Sequence, residues 1–366
     1  MKINIFFFIS NFTFGGAGNA VFSFINKLNK KKFNINIIYI GESEYEKYIP
    51  RHVKIFKIKK NLFFFKTLIG FFRIKKIIKN ETKKNKFNVF ISNIHYSNIL
   101  TIIFLRNLKN LKIFLFERTS LKELDIYFSF FSFFKNKLIK ILIKILYNSA
   151  DKVFSNSVSV KKEFKDIGIN SKVIYSGSIK RILPKKNFKK KKFYKLISVG
   201  RLTKQKNYKL LINSIKLLKS KNFKLFIYGN GAQKDKLKKI ILKNKLEKRI
   251  YLMSQVENKD KIYKNADLLV HTALFEGLPN CIVEAINFGV PIIAYKGAGG
   301  ISEILSNGKY GDIVKKHDEY EISKKIENFF KNPTILQKKI VKSKSSIYKF
   351  VDFKTAISLE NEILKI

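Results

Sequence analysis

Glu276 and Glu284 stand eight positions apart, with the turn-forming run Gly277-Leu278-Pro279-Asn280 between them. Paired carboxylates serve as acid and base or as acceptors for ligand hydroxyls, and their spacing separates the two roles. The segment ahead of them, 266–271, has the length and apolar content of a short buried strand. Pro279 suits the first position of a helix, where its missing N–H would go unpaired anyway. Glu276 is therefore expected in a strand-to-helix loop and Glu284 on the helix that follows. A helix rises about 1.5 Å per residue, which puts the carboxylates on the order of 10 Å apart. A glycosidase acid/base pair needs roughly 5–9.5 Å. The wider spacing suits a ligand with a sugar at one end, phosphates in the middle and a ribose at the other. The open N–H groups and positive dipole end of the helix form an anion site between them. The plain alternative is a loop acid and an unrelated exposed helix acid.

The wording Glu276-Gly-Leu-Pro-x4-Glu284-Ala285 resembles the nucleotide-sugar site of the retaining glycosyltransferases of family 4. Other segments follow in the same order. Lys195 to Asn207 is similar to the family's strand, Gly-Arg turn, loop and lysine, with Gly200, Arg201 and Lys206 in those places. Leu225 to Gly231 is a strand running into a glycine turn, and 289–294 is another strand entry. Gly297-Ala298-Gly299-Gly300 opens a helix beside the donor in the family, although any strand-to-helix turn could use such glycines.

The resemblance implies a set of roles. Arg201 and Lys206 would grip the donor diphosphate, where fixed cations stabilise the charge of a departing nucleoside diphosphate. Glu284 would hold the ribose hydroxyls and Glu276 the donor sugar, with Gly277, Leu278, Pro279 and Asn280 lining the same site. Near the N-terminus, the apolar run Lys2–Ile9 precedes Gly15-Gly16-Ala17-Gly18 and a helix with apolar spacing at Val21, Phe24, Ile25 and Leu28. In the family this loop approaches the donor phosphates, which makes Gly16 a binding candidate; the family often has Glu where Gly18 stands. His95, beyond the strand at 89–92, matches the place of a catalytic histidine. Glu117-Arg118-Thr119-Ser120 resembles a segment of a subgroup that adds N-acetylhexosamines to lipid-linked oligosaccharides, so Arg118 is a candidate acceptor contact.

These residues need two α/β halves to position them. Strands alternate with helical patterns along all 366 residues. The resemblance implies the GT-B fold, two Rossmann-like domains with parallel sheets facing an interdomain cleft. The expected division is an acceptor-binding domain at 1–175, a lysine-rich linker at 176–192 and a nucleotide-sugar domain at 193–345. A C-terminal helix within 346–366 would pack back on the first domain.

The chain carries 75 Lys and Arg against 26 Asp and Glu, a formal charge of +49. Only seven of those cations are arginine; lysine, asparagine, isoleucine and phenylalanine dominate, as in a genome of AT-rich codons. Such a field still attracts anions. Neither a nucleic-acid motif nor an arginine–aromatic platform occurs, so specific nucleic-acid binding is not expected. An anionic membrane surface is the more credible partner. Leu138, Ile141, Leu142, Ile145 and Leu146 form one helical stripe, with Lys137, Lys140 and Lys144 away from it. That stripe is expected to pack on the first-domain sheet. The aromatic runs Phe128–Phe134 and Phe63–Phe72 are balanced between core and membrane.

Rival functions remain in view. Gly16-x-Gly18-x-x-Val21 is an incomplete dinucleotide fingerprint, with Glu42 after the next strand, and would suit an oxidoreductase. A basic membrane-surface or nucleic-acid binder without catalysis is another. The single cysteine, Cys281, permits no intrachain disulfide and is expected as a buried helix residue. No Asp-x-Asp occurs and no His/Cys pair has metal-ligand spacing, so no cofactor and a metal-independent transfer are expected. Asp267 sits where the family has a structural acid. No apolar run reaches the roughly 18–20 residues of a spanning helix, and the N-terminus reads as a strand without signal-peptide features. A cytoplasmic protein, docked or not on the inner face of the plasma membrane, is expected. Its partners would be a nucleotide diphosphate sugar, with uridine the family expectation, and a glycan or lipid-linked acceptor.

Overall fold

The computed structural model describes residues 2–59, 66–83, 85–127, 129–184, 191–256 and 258–365. The lysines at 185–190, Phe63 to Phe65 and Phe128 lie outside the described residues. The chain divides into two compact units, Met1–Lys180 with Asp352–Ile366, and Arg181–Val351.

The first unit is built on a seven-stranded parallel sheet. Its strands are β1 (Ile3–Ile9), β2 (Phe33–Ile40), β3 (Lys54–Ile58), β4 (Asn88–Asn93), β5 (Lys112–Glu117), β6 (Lys152–Ser155) and β7 (Lys172–Val173). They lie in the order β3-β2-β1-β4-β5-β6-β7. Side chains alternate across a strand, and β1 shows why the run is apolar from Ile5 to Ile9. Phe6 and Phe8 enter the core under the helices Lys66–Thr82, His95–Leu105 and Phe130–Leu146. Ile5, Phe7 and Ile9 enter the opposite core, against Val21 and Phe24 of the helix Gly16–Lys27 and Leu359 of the C-terminal helix Asp352–Ile363.

The second unit has six parallel strands, β8 (Tyr194–Val199), β9 (Phe223–Tyr228), β10 (Ile250–Met253), β11 (Leu268–His271), β12 (Ile292–Tyr295) and β13 (Asp312–Val314). Their order is β10-β9-β8-β11-β12-β13. Both sheets thus repeat the 3-2-1-4-5-6 winding of nucleotide-binding α/β folds. Ligands of such sheets bind beyond the carboxyl ends of the strands, where the order reverses. In the second unit that point lies between β8 and β11, the strands that lead into Arg201 and Glu276. Asp267 is structural there: its carboxylate takes hydrogen bonds from Lys191 Nζ at 2.6 Å and from the Lys195 N–H at 2.8 Å, tying the start of β11 to β8.

One expectation is corrected. The stripe on the helix Phe130–Leu146 does not turn as a whole toward the sheet. Asn136, Ile139 and Ile143 are the buried residues of this helix. Leu142 and Leu146 are half-buried at the margin, while Leu138, Ile141 and Ile145 are 57%, 48% and 66% exposed. The helix carries two apolar faces, Ile139 and Ile143 inward and Leu138, Ile141 and Ile145 outward.

Candidate active site

β8 ends at Val199, and Gly200 begins the loop that carries Arg201. That loop meets the loop after β9 at backbone contact: the Leu202 N–H donates to Asn230 O at 2.8 Å. A Cβ on Gly229 would stand 2.0 Å from Gly200 O, so the pair of glycine turns lets the two loops cross. Arg201 projects outward, and among the described residues its guanidinium makes no ion pair or hydrogen bond. Lys206 lies at the end of a short 3-10 turn, Lys204–Lys206, with its carbonyl held by Thr272 Oγ1 at 3.0 Å.

β11 delivers Glu276. The Lys206 ammonium donates to its buried carboxylate, and His271 Nε2 lies 3.3 Å from the same oxygen, without hydrogen-bond alignment. Burial by itself would raise the Glu276 carboxyl, but the Lys206 charge, then His271, outweigh it and hold it down at about 2. His271 is the reciprocal case: burial opposes its charge, while Cys281 and Glu276 raise it to about 9. Cys281 is buried, as its sequence context suggested, with Sγ 3.6 Å from His271 Nδ1.

The Glu276 backbone is fixed as firmly as its side chain. Its N–H donates to Ala298 O at 2.8 Å, and the Gly300 N–H donates to Gly277 O at 2.9 Å. Gly299 has φ +102°, and a Cβ there would stand 1.6 Å from Glu276 O. The glycines at 297–300 therefore serve close backbone packing against the Glu276 turn.

The next helix begins at Asn280, with Pro279 as its N-cap and not its first residue. No side chain caps it and no acid lies in its first turn, and the Ile282 N–H turns back to Pro279 O at 3.0 Å. Gly289, at φ 70°, closes the other end in the left-handed conformation that glycine permits. Glu284 is buried on this helix. Tyr263 donates to its Oε2 at 2.8 Å, and the Lys259 ammonium donates to Oε1. Lys259 and Tyr263 share a face of the helix Lys259–Tyr263 by their i, i+4 spacing. Burial, then the Glu284 charge, pushes the Tyr263 phenol well above its ordinary value.

The structure thus gathers Arg201, Lys206, Glu276, the 277–280 turn and Glu284 around the strand ends of the second unit. Gly16, His95 and Arg118 belong to the first. Gly16 is the exposed first residue of the helix Gly16–Lys27, with nothing within 4 Å of an added Cβ. Gly18 differs: a Cβ there would meet Thr13 O at 2.1 Å, which excludes the family's glutamate at this backbone geometry. His95 follows Ile94, a β-branched residue held at φ 74°. Burial would lower the His95 imidazole, but the Glu117 carboxylate, 3.8 Å from Nδ1, raises it above its ordinary value. Arg118 is buried. Its Nε and Nη2 each donate to Asn93 Oδ1 at 3.0 Å, and its guanidinium lies 4.3 Å from the Phe116 ring centroid. Burial lowers it to about 9.

Sequence inspection missed Lys259, Tyr263 and His271, which set the charge environment of the two glutamates. Nothing in their spacing announces them; only the fold brings them to the carboxylates.

The Glycosyl transferases group 1 profile matches residues 160–346, and the Glycosyltransferase Family 4 profile matches residues 14–177. An uncharacterized glycosyltransferase of Haemophilus influenzae is 23% identical over 90% of this chain and 91% of its own length. A Campylobacter jejuni α-1,4-N-acetyl-D-galactosaminyltransferase, named for a PP-undecaprenol-linked GalNAc glycan, is 25% identical over 89% of this chain and 88% of its own. Among solved structures, Anabaena HepE in complex with UDP-glucose superposes with a TM-score of 0.82 at 16% identity, each chain covered completely.

Proposed function

The chain belongs to the group 1 glycosyl transferases, with a GT-B α/β fold, and from that premise we propose that it is a retaining enzyme that draws on a uridine diphosphate sugar. The observation that carries this is the Lys206–Glu276 pair beside the outward Arg201, at the strand-order reversal of the second unit. A diphosphate seated there meets two cations and the positive dipole end of the helix Asn280–Phe288. Glu276, ionised across the physiological range, accepts hydrogen bonds from donor-sugar hydroxyls. Glu284, pinned by Lys259 and Tyr263, accepts from the ribose.

Transfer forms a bond from the acceptor hydroxyl oxygen to the anomeric carbon and breaks the bond from that carbon to the diphosphate. The nucleoside diphosphate leaves with added negative charge, which Arg201 and Lys206 stabilise more strongly than the ground state. No metal is needed for that stabilisation. On the first unit, Gly16 is the candidate donor contact, His95 is the candidate proton-transfer group, and Arg118 shapes the acceptor surface through Asn93.

The UDP complexes among structures of the same fold support a uridine donor. The Campylobacter relative's PP-undecaprenol substrate supports a lipid-linked glycan acceptor, as does the Glu117-Arg118 segment. The test is UDP release from a panel of UDP-sugars offered with undecaprenyl-diphosphate glycans. Turnover with one donor, abolished in Glu276→Gln, is expected; turnover unchanged in that variant would defeat the site assignment.

A further inference from the structure

The helix Phe130–Leu146 begins with a defined cap. Ser129 Oγ accepts from the Ser132 N–H at 3.2 Å, and Ser132 Oγ accepts from the Ser129 N–H at 3.0 Å. Phe130 and Phe131 therefore sit in an ordered first turn, 81% and 76% exposed. Phe134, Leu138, Ile141 and Ile145 are exposed along the same helix. At about 100° per residue, Phe130, Phe134, Leu138, Ile141 and Ile145 fall within an arc of about 80°. The buried residues Asn136, Ile139 and Ile143 occupy the opposite side. Lys137, Lys140 and Lys144 follow one flank of the exposed arc and Lys135 the other.

The neighbouring helices, which pack side by side, also expose apolar side chains. Ile103 of His95–Leu105 is 56% exposed, and Phe72 of Lys66–Thr82 is 62% exposed, edge-on to Phe104 at 4.8 Å. An apolar face of this extent is uncommon on a protein surface that meets only water. A second copy of the face would set lysine against lysine in a chain of net charge +49. An anionic lipid surface satisfies both halves of the pattern, since rings enter the acyl boundary while lysines stay with the headgroups.

We propose that the outer face of the helix Phe130–Leu146 docks the first unit on an anionic bilayer, with Phe130, Phe131 and Phe134 inserting between headgroups. Among the described residues no helix is long and apolar enough to cross a membrane, so the contact is interfacial. This holds whether or not the donor site is assigned correctly, because none of these side chains belongs to it.

The chain contains no tryptophan, so Phe131→Trp gives a single reporter at the face. With phosphatidylcholine vesicles containing phosphatidylglycerol, its emission shifts to the blue; with phosphatidylcholine alone it stays near its value in buffer. Co-sedimentation of the full chain gives the second readout. The variant Phe130→Ser/Phe134→Ser/Ile141→Ser keeps every lysine and removes only exposed side chains, and it binds anionic vesicles about tenfold less or weaker still at equal salt. Unchanged binding by that variant, with no blue shift of the tryptophan reporter, would mean charge alone and overturn the proposal. A dimer that the variant disperses, with no vesicle binding by the parent chain, would overturn it in favour of self-association.

Discussion

The Lys206 ammonium is hydrogen-bonded to the buried carboxylate of Glu276, which couples the loop after β8 to the loop after β11. Arg201, five residues earlier on the same loop, has no such partner among the described residues. The two cations therefore separate stability from chemistry. Arg201→Ala should leave the melting temperature within about a degree or two, as exposed changes do, while cutting transfer by about a hundredfold or more. Lys206→Met should lose activity and also melt several degrees lower, because it leaves the buried carboxylate with His271 as its remaining charged neighbour, at a cost of up to about 3 kcal/mol. Paired melting and turnover measurements check both; equal melting losses would contradict the contrast.

The pH dependence of that stability follows from Glu276. Its carboxyl titrates at about 2 in the fold against an ordinary 4.5. A depressed pKa stabilises above the unfolded value and loses that contribution as pH falls through the folded one. The gap in stability between the parent chain and Glu276→Gln should be full at pH 6–7, shrink below about 4.5 and vanish near 2. Denaturant melts across that range measure it, and a gap constant with pH would contradict the ion pair.

Gly299 should not accept even alanine. The substitution adds a Cβ at φ +102° against Glu276 O, a strain of order 1–3 kcal/mol. Relief by moving the Glu276 backbone would displace the carboxylate from Lys206. Gly299→Ala should therefore depress transfer about as far as Glu276→Gln. Gly16→Ala, with open space around its Cβ, should leave the melting temperature unchanged.

Much of this arrangement is legible in residue order. The strand at 3–9 is plain because a parallel strand buried on both faces is apolar on both, here from Ile5 to Ile9, with Asn4 the one polar residue at its start. Arg201 and Glu276 stand out because each follows a strand beside a glycine, and Glu284 because it lies on the helix that Pro279 introduces. Lys259 and His271 carry no marker, and their role comes only from packing. The stripe at 138–146 reads as sheet-facing because an apolar repeat at helical spacing looks the same facing a core or facing outward. Ile139 and Ile143 sit between its members in sequence and across the helix in space.

His95 offers a check on the first unit. Burial opposes its charge, and the Glu117 carboxylate prevails, so its folded pKa lies above the ordinary 6.5. A raised pKa contributes stability that is complete below the unfolded value and is lost as pH rises through the folded one. Replacing Glu117 with Gln leaves Glu123 alone to oppose burial and should lower the His95 midpoint in an imidazole NMR titration. A midpoint unmoved by Glu117→Gln would show that another group sets the charge.

Titration calorimetry with UDP, beside inorganic pyrophosphate at physiological salt, tests the donor site most directly. UDP should bind at least about tenfold more tightly than pyrophosphate, and Glu284→Ala should erase that advantage by removing the ribose contact. Equal affinity for both ligands, unchanged in Glu284→Ala, would reduce the binding to nonspecific attraction by a cationic chain and contradict the assignment.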